Sequence, residues 1–256
     1  MDRDQIPGIP LGYSLRPCRT PQELAKCHEI QRRIWGYADH ELYPLRLFVN
    51  LSRVGGHVLG AFTTEDELVG FVAAMPAWHG KRRYLHSLAL GVLRGHENRG
   101  LGRALKLAQR DQALAEGIGL IEWTFDPLRA KNANLNINRL GVIVRRYEPD
   151  CYGRVESRLQ QGLPSDRLIS EWWIRSRRVA QAVRGGLARR PRKNVADEIE
   201  IPSAIEDWIK DDPAKARKCQ ARVRDRFLQS FARKLTVTGF TLDRTSGYYL
   251  LESREN

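Results

Sequence analysis

The sequence lacks the features of a membrane-anchored, secreted or metal-binding protein. No apolar run in its 256 residues approaches the ~18 residues that a membrane-spanning helix needs. The first residues, Met1 to Asp4, are polar and partly acidic, which is unlike a secretory signal peptide. The four cysteines, at positions 18, 27, 151 and 219, form no Cys-x-x-Cys pair and have no paired histidines nearby. We therefore expect reduced thiols, a cytoplasmic location, no membrane association and no metal site.

The chain also has fewer acidic than basic residues. The chain has 43 Lys and Arg against 30 Asp and Glu, which gives a formal net charge of +13. Eight of the basic residues, and no acidic residue, lie between Arg175 and Ala196. We interpret this segment as a basic linker, and the alternative is a patch that docks nucleic acid or another anionic partner. Nucleic acid is the less favoured partner because aromatic residues do not alternate with the charges there.

The residues that are present suit a globular α/β protein. The composition, 42% hydrophobic and 29% charged, is typical of that class. Apolar periodicity predicts strands at 13–16, 57–63, 68–75, 84–93 and 120–125, and helices at 20–35, 42–51, 101–117 and 128–140. Thr20, Pro21 and Glu23 have the spacing of a capping box at the start of the first helix. Strands that alternate with helices predict a mixed α/β (α+β) sheet.

A glycine-rich basic loop, from Arg94 to Arg103, lies between a predicted strand and a predicted helix. Gly100 and Gly102 lack a Cβ, so the backbone there can turn sharply and approach a ligand closely. The helix that follows directs unpaired N–H groups and the positive end of its dipole at the loop. The loop therefore predicts an anion cradle, most plausibly for the phosphates of a cofactor.

The segment Glu97-Asn98-Arg99-Gly100-Leu101-Gly102 resembles the pyrophosphate loop of the GNAT acyltransferase superfamily, Gln/Arg-x-x-Gly-x-Gly/Ala. Both glycines match, and acidic Glu97 departs from the family's first position. The order of predicted elements is also similar to the GNAT core over residues 13–173. The resemblance implies a splayed central sheet flanked by helices, which binds acetyl-CoA or another acyl-CoA. The layout of the whole chain resembles a less characterised bacterial subgroup.

The same resemblance implies which residues contact the acyl-CoA. They lie on the fourth strand, in the loop and at the start of the fourth helix: Leu88, Leu90, Val92, Arg99, Gly100, Leu101, Gly102, Arg103 and Asn132. Lys106 is a weaker candidate for a cation near the phosphates. No metal is implied.

Three residues are candidates for the catalytic chemistry: Glu122, His86 and Tyr147. Glu122 lies within an apolar strand, where burial would raise a carboxyl pKa toward the range of a general base, and the alternative is a side chain that points to solvent or pairs with an arginine. His86 is on the strand that would hold the donor, and a core histidine is its alternative. The tyrosine that acts as the acid in GNAT enzymes falls on Ile137, so Tyr147 and Tyr152 are only possible substitutes.

The C-terminal part extends beyond the GNAT core. Glu198 to Pro202 alternates like an edge strand. A helix with Asp212 as its N-cap follows, with an apolar face of Val223, Phe227, Leu228, Phe231 and Leu235, and a hairpin closes the chain. We predict a GNAT-like core at 1–174, a basic linker at 175–196 and a strand-helix-hairpin unit at 197–256 packed on the core.

The sequence thus predicts a cytoplasmic acyltransferase, most plausibly an acetyltransferase, that transfers the acyl group directly to an amine of a small molecule or a protein. The alternative is a catalytically weak CoA-binding or regulatory module that docks an anionic partner through its basic segment. The oligomeric state stays open.

Overall fold

The computed structural model describes residues 9–153, 162–185 and 195–253. The chain forms two compact units, Met1–Ile121 and Glu122–Asn256. The boundary falls inside a strand, Leu120–Phe125. The domain limits expected from the sequence remain a prediction.

In its described residues, the first unit has four antiparallel strands and three α-helices. Along the chain they are β1 (Tyr13–Pro17), α1 (Pro21–Trp35), α2 (Leu45–Arg53), β2 (His57–Thr63), β3 (Leu68–His79), β4 (Arg82–Val92) and α3 (Leu101–Ala115). The strands lie in the order β1-β2-β3-β4. All seven elements were predicted from the sequence, although β3 extends four residues further and α2 starts three residues later than predicted.

Apolar side chains fill both faces of this sheet. Helices α1 and α2 bury Leu24, Ile30, Phe48 and Leu51 with Phe71 on one face. On the other face, α3 buries a second set: Leu101, Leu105 and Ala108 with Leu59, Ala61, Val69 and Val72. The amphipathic patterns that predicted the helices are therefore explained by burial against opposite faces of one sheet.

The part of the second unit that the structure describes continues with six strands and four α-helices. They are β5 (Leu120–Phe125), α4 (Ala130–Ala133, continued by a π-helical turn at Asn134–Arg139), β6 (Ile143–Glu148), β7 (Arg167–Trp173), α5 (Arg177–Val183), β8 (Val195–Pro202), α6 (Ile205–Asp211), α7 (Pro213–Ala232), β9 (Leu235–Leu242) and β10 (Ser246–Ser253). The strand order is β5-β7-β6-β9-β10-β8. The predicted edge strand, β8, is the last strand in this order.

The C-terminal extension differs from the prediction in two details. Leu228, expected on the buried face of α7, is 41% exposed. Leu235 belongs to β9 rather than to the helix. The buried face of α7 includes Val223 and Phe227 but also polar Gln220 and Ser230, and apolar periodicity gives no signal for polar members of a buried face.

None of the helices in the described part of the chain combines the length and the apolar character that a membrane span requires. Within the same residues, no group of three or more His, Cys, Asp and Glu side chains is placed to hold a metal ion.

Candidate functional site

A β-bulge interrupts the pairing of β3 with β4. Ala73 is opposite Ala89 and Ala74 is opposite Ser87, so Leu88 is an extra residue on β4. A bulge leaves the extra residue outside the ladder and reorients its neighbours. Leu88 therefore lies outside the β3–β4 ladder, in the middle of an otherwise paired strand.

The bulge also decides which face each side chain of β4 occupies. Leu88 and Ala89 both pack with the α1–α2 cluster, whereas Leu90 and Val92 pack with the α3 cluster. Ser87 faces α3, and adjacent strand residues point to opposite faces, so His86 points to the α1–α2 face. His86 is partly exposed and Ser87 is buried.

The predicted loop leads from β4 into the N-terminus of α3. Asn98 and Gly100 have φ values of 60° and 89°, in the left-handed region that favours glycine. Gly100 is the N-cap of α3, and no side chain caps the helix there. The N–H groups of the first turn are thus left for an anion, and the helix dipole favours negative charge at this end.

The two glycines keep this surface open. A Cβ on Gly100 would lie 3.7 Å from Pro10 Cγ, and one on Gly102 would lie 3.8 Å from Leu90 Cδ2. Both are ordinary contact distances, so glycine at 102 is not required by crowding within the fold. The loop, the open helix terminus and the adjacent basic side chains of Arg99 and Arg103 fit a pyrophosphate.

A hydrogen-bonded cluster fixes the loop to β1. Tyr13 Oη lies 2.9 Å from His96 Nδ1, and Arg99 Nη1 donates to Tyr13 Oη at 3.2 Å. The tyrosine and histidine rings also meet edge to face. Glu97, the departure from the family pattern, is exposed, so its carboxylate can remain in solvent.

Lys106 does not lie where the sequence suggested. It is 2% exposed, and its Nζ donates to Ser87 Oγ at 2.8 Å and to Gln109 Oε1 at 3.2 Å. Its amine therefore faces β4 instead of the solvent around the phosphates. Burial lowers the pKa of Lys106 well below its ordinary value, because a buried ammonium loses its hydration.

Glu122, the carboxylate candidate on β5, is buried and ion-paired. It is 5% exposed, and Arg146 Nη2 donates to its Oε1 at 2.6 Å. Arg146 is half-exposed, and its Nε lies 4.0 Å from an oxygen of Glu171. The arginine pairing considered from the sequence is therefore present, and the role of Glu122 as a general base stays a prediction.

Tyr147 is enclosed in a different network. Its hydroxyl donates to Asp166 Oδ2 at 2.6 Å, and its ring stacks on Phe227 of α7. Burial, followed by the hydrogen bond to Asp166, raises the pKa of Tyr147. Tyr152 is by contrast 51% exposed, with its hydroxyl 2.7 Å from Thr124 Oγ1 on β5. Of the two substitute tyrosines, Tyr152 is the one that a ligand can reach.

The remaining candidates lie at the α4 turn. Asn132 is exposed and Ile137 is fully buried. Asn138 uses its amide on both backbone groups of Phe240, as donor to the carbonyl at 2.7 Å and as acceptor from the N–H at 3.3 Å. The asparagines of this turn therefore do not share one role.

Ser87 was not predicted as part of the site, and neither was the orientation of the Lys106 amine toward β4. Apolar periodicity marked the face of α3 that carries Leu101 and Leu105, but it gave no signal for the adjacent stripe of Lys106 and Gln109. Only the pairing of β3 with β4 shows that Ser87 faces that stripe.

Residues 24–135 match the family model for the acetyltransferase (GNAT) family. A search of curated proteins found no match. Structures similar to this one include the ribosomal-protein-S18-alanine N-acetyltransferase from Escherichia coli, with 14% identity over 63% of this chain and 94% of that chain and a TM-score of 0.51. Another is yncA from Salmonella typhimurium with its cofactor acetyl-CoA, with 17% identity, 64% and 95% coverage and a TM-score of 0.50.

A protein from Desulfovibrio desulfuricans described as belonging to the GNAT family matches at 16% identity, with 63% and 99% coverage and a TM-score of 0.50. Similarity at these identities concerns the fold. The mixed α/β architecture, with a mostly antiparallel sheet flanked by helices, is the fold that these proteins share with this chain.

Proposed function

We propose that this chain, whose residues 24–135 match the family model for the GNAT acetyltransferases, transfers an acyl group, acetyl before any longer chain, from acyl-CoA to an amine. The observation that carries the proposal is that three features follow one another along one segment. A bulge places Leu88 of β4 outside the β3–β4 ladder, a glycine loop follows, and α3 begins without a side-chain cap.

These features suit the two ends of an acyl-CoA donor. The loop N–H groups at Gly100, Leu101 and Gly102 would bind the pyrophosphate, with Arg99 and Arg103 adding charge. The bulged backbone at Leu88 would accept and donate hydrogen bonds to the amides nearer the thioester, beside Leu90 and Val92. Asn132, which is exposed, stays a candidate on the resemblance alone. Such a donor supplies an activated carbonyl that is attacked directly by the amine.

Among the catalytic candidates, His86 best meets the needs of a general base. An amine acceptor must lose a proton, and an imidazole titrates near neutral pH. His86 is on β4, two residues from the bulge, and points to the face opposite α3. Glu122 is held by Arg146, so we assign it to orienting that guanidinium; Tyr147 donates its hydroxyl proton to Asp166, so we assign it to the architecture of the second unit.

The acceptor is an amine of a small molecule or of a protein, and we propose that the protein acts in the cytoplasm. Neither the acceptor nor the length of the acyl chain follows from the contacts described above.

Calorimetric titration with acetyl-CoA tests the donor site, with Gly102→Asp as the decisive variant. An aspartate in the first turn of α3 suits the helix dipole, so the melting temperature should hold or rise. The same charge would repel a pyrophosphate, so the affinity for acetyl-CoA should fall by at least about tenfold, the equivalent of ~1.4 kcal/mol. Gly102→Asn, which has the same shape without the charge, is the matched control and should bind more tightly than Gly102→Asp.

Transfer itself is measured by the release of free CoA thiol in the presence of a panel of amines. Absence of any binding heat or thermal shift with acetyl-CoA would overturn the proposal at its first step. Binding without transfer to any amine would instead favour the CoA-binding or regulatory module. Salt-sensitive retention on a nucleic-acid column would then be compared with a variant neutralised at Arg189, Arg190, Arg192 and Lys193, which lie outside the described residues.

A further inference from the structure

A buried amine and a buried hydroxyl meet on the α3 face of β4. Lys106 Nζ lies 2.8 Å from Ser87 Oγ and 3.2 Å from Gln109 Oε1. Ser87 is 5% exposed and Gln109 is 0% exposed. Within the described residues, Gln109 Nε2 has no hydrogen-bond partner. This polar group lies beside the apolar face of α3 that buries Leu101, Leu105 and Ala108.

Burying such a cluster between a helix and a sheet costs desolvation free energy. An apolar side chain of similar length would pack there without desolvating an amine. Buried titratable groups with shifted pKa values occur preferentially at functional sites. The burial of Lys106 therefore calls for a role besides packing.

The cluster is placed next to the bulge. Ser87 immediately precedes Leu88, the residue whose backbone is released from the ladder, and it shares the α3 face with Leu90. The side chain of Leu90 lies beside Gly102 of the anion cradle, and Ser87 is on the same face of β4. His86, the proposed base, points to the opposite face. One strand thus offers a base and a hydroxyl on its two sides at consecutive positions.

Acyl transfer from a thioester leaves a thiolate that must gain a proton. The tyrosine that would supply it in GNAT enzymes is replaced by Ile137, whose side chain has no acidic proton. Tyr147 is engaged with Asp166. Tyr152 is exposed, but its hydroxyl is engaged with Thr124 of β5, and Ser87 is the hydroxyl that adjoins the bulge at Leu88.

We propose that Ser87, backed by Lys106, protonates the leaving thiolate, an inference that rests on the proposed function. As the acceptor nitrogen forms its bond to the carbonyl carbon, His86 takes the proton that the nitrogen loses. When the carbon–sulfur bond breaks, Ser87 Oγ turns its proton from the carbonyl of Ala73, to which it donates at 3.4 Å in the structure, to the departing sulfur and regains one from the Lys106 ammonium. Lys106 is left as a neutral amine, and solvent restores its proton and removes the one held by His86.

Burial makes the Lys106 ammonium a better acid, because its pKa is lowered. Gln109 Oε1 accepts the other described hydrogen bond of the amine and holds Nζ against Ser87. Ser87 is the group that would touch the sulfur, so it is the catalytic residue, and Lys106 acts through it.

Binding of CoA and of desulfo-CoA tests the contact without any turnover. At about pH 9, where a thiol with a pKa near ~8.5 is largely ionised, the wild-type protein should bind CoA about tenfold more tightly than desulfo-CoA. That preference corresponds to one hydrogen bond to a charged acceptor. Ser87→Ala should abolish the preference while leaving the affinity for desulfo-CoA within about twofold, and Ser87→Thr, which keeps the hydroxyl, should retain it.

The possible results separate this inference from the proposed function. If neither ligand binds the wild-type protein, the donor site itself is wrong. If both bind and Ser87→Ala weakens them equally, Ser87 has only a structural role and the inference fails. Thermal denaturation of each variant identifies any that do not fold, and Ser87→Thr then carries the test.

Turnover provides the second readout. Ser87→Ala and Lys106→Met should each lower kcat by about 100-fold, a typical contribution of a general acid, with the KM for acetyl-CoA changed by less than about twofold. The double variant should be no slower than either single variant, because the two residues act in one relay. Additive losses in the double variant, or a rise in KM with kcat unchanged, would contradict the relay. Lys26→Met, on the exposed surface of α1, is the control.

Discussion

Two side chains of the first unit, Lys106 and His57, are buried although each can carry a charge. His57 is 1% exposed, and its Nε2 lies 2.9 Å from Glu116 Oε1. Within the described residues, its Nδ1 has no hydrogen-bond partner. Burial lowers the pKa of His57 below its ordinary value of 6.5, and the effect of Glu116, which favours the charged ring, is the smaller one. Folding therefore favours the neutral imidazole of His57.

This shift predicts sensitivity to acid. Because the unfolded chain takes up the proton at a higher pH than the folded one, the contribution of His57 to the free energy of unfolding should be constant above about pH 6.5 and fall as the pH drops below it. In His57→Gln that part of the slope should vanish, although the variant loses stability at neutral pH. Urea titrations at a series of pH values measure this. His40→Gln, at an exposed position, should keep the wild-type slope; an unchanged slope in His57→Gln would contradict the prediction.

The glycines of the loop and Lys106 show what the sequence could and could not reveal about the site. Gly100 and Gly102 were recognised because a backbone requirement leaves a mark on residue type. Lys106 was interpreted as a cation near solvent, since a lysine beside a glycine loop usually is one. Its burial depends on Ser87 of β4, and which face Ser87 occupies depends on the bulge at Leu88. A bulge shifts the alternation of a strand by one residue, and nothing in the residue types of β4 announces it.

At the scale of single elements, the start of α1 gives a direct prediction. Thr20 accepts from the backbone N–H of Glu23, and Glu23 accepts from that of Thr20, which completes the capping box. Partial burial opposes ionisation of Glu23, but hydrogen bonds from Thr20, Arg16 and Arg19 outweigh it and lower its pKa to about 2. The ionised carboxylate is thus part of the helix terminus.

Thr20→Ala should lower the free energy of unfolding by about 1 kcal/mol, the usual value of an N-cap. Because the folded pKa of Glu23 is depressed, its contribution is present above its ordinary pKa of 4.5 and is lost as the pH falls toward about 2. Thr20→Ser should restore most of the stability. Denaturant midpoints that do not differ between wild type and Thr20→Ala would show that the cap contributes nothing.

Elements with strong local signals were predicted well, and those stabilised by distant partners were not. The capping box of α1, the strand at Leu120–Phe125 and the Asp212 cap of α7 all agree with the structure. β6 was missed because two adjacent arginines, Arg145 and Arg146, interrupt its alternation. The structure accommodates them by a bulge and by pairing them with Glu171 and Glu122. Such charge compensation between strands cannot be read from the strand itself.

At the scale of the whole molecule, the second unit joins the C-terminal extension to strands expected in the GNAT core. Strand β9 pairs with β6 at Val144 and Val237. The guanidinium of Arg178 donates to the carbonyls of Gly141 and Thr238 at 2.9 and 2.6 Å, and so connects the end of the α4 turn to β9. The extension is therefore integrated into the second unit by backbone pairing as well as by side chains.

Asp166 provides the test of this integration. It is fully buried and accepts two hydrogen bonds from Arg224 of α7, at 2.9 and 2.7 Å, and one from Tyr147 of β6. Removing one member of a buried ion pair leaves the other uncompensated, so Asp166→Asn should lower the free energy of unfolding by about 3 kcal/mol.

If the unit unfolds as one cooperative body, amide hydrogen exchange in Asp166→Asn should accelerate together in β6, β7 and β8–β10. Faster exchange confined to residues 195–253, with 122–173 unchanged, would instead show that the extension opens independently. Asp211→Asn, an exposed change at the end of α6, should leave the exchange of both regions as in the wild type.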